Sequence, residues 1–159
     1  MRKGFWVIFC LFFFLAISVF ATTELLGNLT KEEIIENFPD WQEEAAIYTP
    51  KSSSIEKLKS IDRIINIEIF LGTWCPDSKE HSSSYFKITE SVDNPFFISD
   101  FIGIPRDNES RQPYIQGKNI IKVPTFIVII DGQEIGRIIE HPEESIEEDL
   151  INIISSTNF

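Results

Sequence analysis

The chain is short of cysteine, histidine and positive charge, and each shortage closes off a class of function. Its 159 residues include two cysteines and two histidines. Two cysteines cannot build a disulfide-dense scaffold. No group of His and Cys has the spacing of a structural zinc site, so no metal is expected. Lys and Arg total 14 against 25 Asp and Glu, a net charge of −11. Nucleic-acid backbones and anionic lipid surfaces both demand basic patches, so neither is an expected partner. The sequence also lacks internal repeats and low-complexity tracts. What remains is a globular composition, 43% hydrophobic and 25% charged. Its length holds one sizeable core.

The first segment reads as an address. Arg2 and Lys3 precede an almost wholly apolar run, Phe5 to Phe20, and Val19-Phe20-Ala21 places small residues at the −3 and −1 positions of a cut. That order is the layout of a secretory signal peptide, expected over residues 1–21 with cleavage after Ala21. An uncleaved run of this length would instead anchor the chain in a membrane; once it is cleaved, no stable membrane insertion is expected. Cleavage removes Arg2, Lys3 and Cys10, taking 14 basic residues to 12 and leaving Cys75 as the one thiol. A lone thiol in an exported protein forms no internal disulfide and calls for another explanation.

Residues 22–60 read as an N-terminal helical extension without a core of its own. Thr30 with Glu33 forms a capping box, and Asp40 with Glu43 reads as an acidic version of one. Helical spacing predicts helices over 39–48 and 54–60, separated by a polar break at 50–54. Residues 61–159 form the main domain. Ile64–Leu71 is a buried strand, Pro76–Val92 a helix, Phe96–Ile104 a second strand and Thr125–Ile130 a third. Asp131-Gly132 marks a hairpin turn leading to an antiparallel strand over 134–140. Pro142 opens a final amphipathic helix, and the polar stretch 105–122 is a surface loop or short helix. The order predicts an α/β fold with a mixed central sheet and helices on both faces.

The chemistry concentrates in Gly72-Thr73-Trp74-Cys75-Pro76-Asp77-Ser78, between the first strand of the domain and its long helix. A cysteine there meets the unpaired N–H groups and the positive dipole end of the helix, and both favour the nucleophilic thiolate. Pro76 stiffens the first turn without forfeiting a helical hydrogen bond. Ser78 can direct its hydroxyl at the sulfur, whereas Asp77 opposes the thiolate unless it faces solvent. Trp74 shields the thiol or belongs to the core. His81 and His141 read as solvated. Asn28-Leu29-Thr30 and Asn108-Glu109-Ser110 match a glycosylation pattern common by chance.

Trp74-Cys75-Pro76-Asp77-Ser78 resembles the Trp-Cys-x-x-Cys motif of the thioredoxin superfamily. Val123-Pro124-Thr125, about fifty residues on, sits where that family has its cis-proline. The resemblance spans about residues 61–156. Phe70–Lys79, with Phe38-Pro39-Asp40-Trp41 upstream, is similar to a group of exported bacterial thioredoxin-like proteins. It implies a thioredoxin fold in which Cys75 and Ser78 are catalytic. Trp74, Pro76, Val123, Pro124 and Thr125 would bind substrate. Two departures matter. Ser78 replaces the resolving cysteine, so a mixed disulfide cannot be released from within. The family's buried Asp, six residues before the cysteine, is Ile69; Glu68 faces the other side of the strand.

The expected function is thus monothiol thiol–disulfide exchange, as oxidoreductase or isomerase, in the periplasm or outside the cell. Its partners would be client proteins with thiols or disulfides, or a low-molecular-weight thiol, and no cofactor is expected. The alternative is a non-catalytic binding module or chaperone that holds an extended client segment beside Cys75 and Pro124.

Overall fold

The computed structural model of the chain describes residues 24–156. The expected signal segment 1–21, with Cys10, lies outside these residues. Among the described residues, no helix is long and apolar enough to cross a membrane.

Alternation of β-branched residues builds the centre. In strand β2, Ile65–Leu71, the side chains of Ile65, Ile67, Ile69 and Leu71 are fully buried. They face one cluster with Phe101, Phe126, Val128 and Ile138 from the neighbouring strands. Strand β3, Phe97–Gly103, runs parallel to β2 in register from Ile65↔Phe97 to Leu71↔Gly103. Strand β4, Thr125–Ile130, is antiparallel to β2. It turns at Asp131-Gly132, both at positive φ, into β5, Gln133–Ile139. Two positive φ angles are what a tight hairpin demands.

The N-terminal part differs from the expected extension in two ways. Gly27–Leu29 is a short strand, β1, antiparallel to β3, so the sheet order is β1-β3-β2-β4-β5. Three residues carry no periodicity; their backbone pairs with β3, and Leu29 packs against the main core. The three helices that follow are also not an appendage. In α1, Lys31–Asn37, α2, Asp40–Ile47, and α3, Ser52–Lys59, the buried residues Ile34, Trp41, Ala45, Ile55 and Leu58 join the same cluster as the sheet. The Thr30–Glu33 capping box forms as expected. The second one does not: Pro39 precedes α2, and the Asp40 carboxylate instead meets Lys79 Nζ at 2.7 Å. Helix α3 also starts at Ser52, inside the expected polar break.

Helix α4, Pro76–Val92, crosses from β2 to β3 and packs its Tyr85, Phe86 and Ile88 into the core. The segment after β3 holds a 3-10 turn, Glu109–Arg111, and one helical turn, α5, Gln112–Ile115. The second face of the sheet is covered by this segment, whose Ile115, in α5, and Ile120, beyond it, pack on Phe70, Ile104, Val123 and Ile127 as a smaller core. The last helix, α6, Ile146–Ser155, begins later than Pro142. Ser145 Oγ caps it, accepting from Glu148 N at 3.3 Å. The Asp149 carboxylate holds the turn before it by accepting from Glu143 N and Glu144 N at 2.7 and 3.2 Å. A parallel β–α–β unit, an antiparallel hairpin and a closing helix make this a thioredoxin-like α/β fold.

Candidate functional site

Cys75 is the residue at which strand β2 becomes helix α4. It is the N-cap of α4, extended at φ −102° and ψ 122°, with Pro76 as the first helical residue. Its backbone N–H donates to Gly72 O at 2.9 Å, closing a tight turn. The side chain is only 9% exposed and packs in the smaller core. Its S–H donates to the carbonyl of Val123 at 3.5 Å. The Val123–Pro124 peptide bond is cis. The two motifs read from sequence therefore meet at the sulfur.

The other expected site residues take differing roles. Pro76 is exposed beside the thiol, while Val123 and Pro124 are buried. Thr125 is buried as well, and its hydroxyl donates to Lys122 O at 2.7 Å, bracing the turn that carries Pro124. Ser78 does not hydrogen-bond the sulfur. It is fully buried, and its Oγ accepts the N–H of Gly72 at 3.1 Å. Glu68 does lie on the opposite side of β2 from the helices, where it pairs with Lys118 at 2.7 Å.

Trp74 is held on every side. Its Nε1–H donates to Ile104 O at 2.9 Å. Its ring lies over the Cα of Gly72, where a Cβ would come within 2.5 Å of the indole. The guanidinium groups of Arg106 and Arg111 stack on the ring, 5.1 and 5.5 Å from its centroid. Arg106 Nη2 also donates to Trp74 O at 3.2 Å, next to the Trp74–Cys75 peptide. Neither arginine was among the sequence-derived site residues. They fall in a polar loop with no periodic pattern, and only the fold carries that loop to Trp74.

The histidines were also read apart. His81 Nε2 and His141 Nδ1 lie 3.1 Å apart, near Asp77 and Glu140. Asp77, Glu140 and His141 place ligand atoms within 4.8 Å of one another, which is cation-binding geometry. Two of the three already have partners, since Glu140 pairs with Lys122 and His141 with His81. Burial pushes the His81 pKa below its ordinary value, with Glu80 acting in the opposite direction. Lys122 holds the Glu140 carboxyl below the usual range.

No family model matches the sequence, and no curated protein matches it. Solved structures are similar in fold. An HIV epitope scaffold shares 15% identity at a TM-score of 0.58, over 76% of this chain and 83% of its own. A protein of unknown function from Pseudomonas aeruginosa shares 16% at 0.56, over 74% and 81%. A thioredoxin from Trypanosoma brucei brucei superposes more loosely, at 18% identity and a TM-score of 0.43 over 67% and 88%. Identities this low speak to the fold alone.

Proposed function

We propose that this chain is a thiol–disulfide exchange protein of the cell envelope, working through Cys75 alone. One observation carries the reading: the only thiol of the described residues caps helix α4 with its sulfur 3.5 Å from the Val123 carbonyl, beside Pro124. The sulfur belongs to the residue that caps the first turn of α4, beside the exposed Pro76. The Val123 carbonyl accepts the S–H of the resting thiol. Loss of that proton to solvent ends the bond and frees the carbonyl to accept an N–H from an extended client.

The exchange step balances without a cofactor. The Cys75 thiolate attacks a disulfide R–S–S–R′, forming Cys75–S–S–R as the original S–S bond breaks and R′S⁻ departs. A second thiolate, from the client or a small thiol, then attacks the client sulfur and returns Cys75. Ser78 cannot supply that thiolate, so the mixed disulfide waits for an external one. This suits isomerisation, or removal of a small-thiol adduct, better than net reduction. The envelope location rests on residues 1–21.

The test is adduct formation with 2-hydroxyethyl disulfide, followed by intact mass. The chain from Thr22 onward, whose one thiol is Cys75, should form a one-to-one adduct, faster than the same chain in denaturant, and its Cys75→Ser variant should form none. Ser78→Cys should release the adduct as an internal disulfide. Reaction no faster than in the unfolded chain would remove the exchange reading.

A further inference from the structure

The arginines on Trp74 stand out against the charge of the whole chain. Among the described residues, Lys31, Lys51, Lys59, Arg63, Lys79, Lys118, Lys122 and Arg137 each pair with a carboxylate. In a protein with 25 acids, that is the ordinary fate of a cation. Arg106 and Arg111 form no such ion pair; Lys57 and Lys87 form none either, but only the two arginines are held against an indole ring. Their side-chain hydrogen bonds all go to backbone carbonyls: Arg106 Nη2 to Trp74 O, Arg111 Nε to Pro105 O at 2.9 Å and Arg111 Nη2 to Arg106 O at 3.1 Å.

Neutral acceptors fix the two groups in place, and only Arg111 has its charge partly offset, by the nearby Asp107 carboxylate, with no ion pair formed. Each guanidinium has five N–H donors in a rigid fork suited to carboxylates, and most remain unused. Two acids of the region spend their hydrogen-bonding oxygens on other donors, although Asp107 also feels the charge of Arg111. Glu24 accepts the backbone N–H of Arg106 at 3.3 Å, and Asp107 accepts from Ser110 N and Oγ at 3.0 and 2.6 Å. Arg106 is exposed and Arg111 half-buried, so their free donors face outward beside the peptide that leads into Cys75.

We infer that Arg106 and Arg111, stacked on Trp74, form an anion-binding subsite beside Cys75, and that the disulfides this protein exchanges carry a carboxylate close to the reacting sulfur. The inference rests on the exchange reading above and names its substrate class. The carboxylate binds the guanidinium forks, and the adjacent S–S bond is presented to the Cys75 sulfur. The global charge of −11 would by itself draw in cationic disulfides and repel anionic ones, so the two influences predict opposite preferences.

The experiment compares the initial rate of Cys75 adduct formation with three disulfides of similar length. These are 3,3′-dithiodipropionate (anionic), 2-hydroxyethyl disulfide (neutral) and cystamine (cationic). In low salt the wild-type protein should react with the anionic probe about tenfold faster than with the neutral one and about a hundredfold faster than with cystamine, the effect of two unit charges roughly 6 Å away in a water-like dielectric, attractive to one probe and repulsive to the other. That ratio should shrink as salt is added. The double variant Arg106→Gln/Arg111→Gln should bring it to parity or reverse it. Arg106→Lys/Arg111→Lys, which keeps the charge, should retain most of it. A peptide disulfide with Glu beside its Cys that outpaces the small anionic probe would assign the subsite to protein clients; equal rates would assign it to small molecules. Faster reaction of wild type with cystamine, or a ratio unmoved by the Gln pair, would overturn the subsite while leaving the exchange reading intact. Failure of the neutral probe in wild type would sink both.

Discussion

Replacing Gly72 by alanine should dislodge Trp74 and so test whether that ring is as firmly placed as the subsite requires. The added Cβ would stand 2.5 Å from Cε2 and 2.8 Å from Cζ2 and Nε1 of the indole, where ordinary contact begins at 3.4 Å. Relief requires the ring to retreat by roughly 1 Å, a typical consequence of overpacking. The Nε1–Ile104 O bond, now 2.9 Å, would then lie beyond hydrogen-bond range. Losing it costs about 1 kcal/mol, and disturbed stacking on two arginines costs about 0.5–1 kcal/mol for each. Overpacking as a class costs about 1–3 kcal/mol, and the same range covers the sum. At an m-value of about 2 kcal/mol/M, the urea midpoint should fall by roughly 0.5–1.5 M. Indole emission should shift red as Trp74 gains solvent, against a constant contribution from buried Trp41. A variant with an unchanged midpoint and unchanged emission would show that Trp74 yields freely, and the fixed arginine platform would lose its basis.

Glu147 is 2% exposed and accepts from Tyr48 O–H at 2.7 Å and Lys51 N–H at 3.0 Å, which fastens the end of α2 and the start of α3 to α6. Glu147→Ala should therefore cost about 2–4 kcal/mol and Glu147→Gln less, by urea unfolding; an Ala variant within about 0.5 kcal/mol of wild type would mean that this link contributes nothing. His81 is depressed below its ordinary 6.5 by burial, so the unfolded chain takes up the proton first. Its contribution is complete above 6.5 and is lost as pH falls below that value. Glu134 and Glu140 are held low by Arg137 and Lys122, and what they add is lost only as pH falls below their ordinary 4.5. Unfolding curves between pH 7.5 and 5.5 should show wild type weakening and His81→Gln nearly flat; parallel curves would refute the assignment.

The sequence is most informative where the physics is local and repeated. Strand β2 is legible because isoleucines alternate over seven residues, α4 because Pro76 opens a long run, and the β4–β5 hairpin because Asp131-Gly132 tolerates positive φ. The Thr30–Glu33 box is contained within four residues. Features made by distant partners are not legible. Strand β1 exists because its backbone meets the edge of β3. Asp40 looks like a cap, but Lys79 on α4 claims its carboxylate. His81 and His141 look solitary because 60 residues separate them. The acidic run at α6 looks like dipole matching alone, whereas one of its members is a buried acceptor for Tyr48 and Lys51.

The same distinction sorts the motif around Cys75 into scaffold and chemistry. Gly72 is needed because Trp74 lies over it. Its N–H requires an acceptor in a buried place, and Ser78 Oγ supplies one. Its carbonyl accepts the Cys75 N–H. Gly72, Trp74, Ser78 and the backbone of Cys75 thus account for one another as a closed set of contacts, and Ser78 has a structural reason to be serine independent of any resolving thiol. A cysteine there would offer a poorer acceptor to a buried N–H, so gaining a second thiol carries a cost in the turn that presents the first. What folding leaves unexplained is the sulfur of Cys75 and the unused donors of Arg106 and Arg111. Under the proposed exchange those groups, not the serine, would set the specificity of the site.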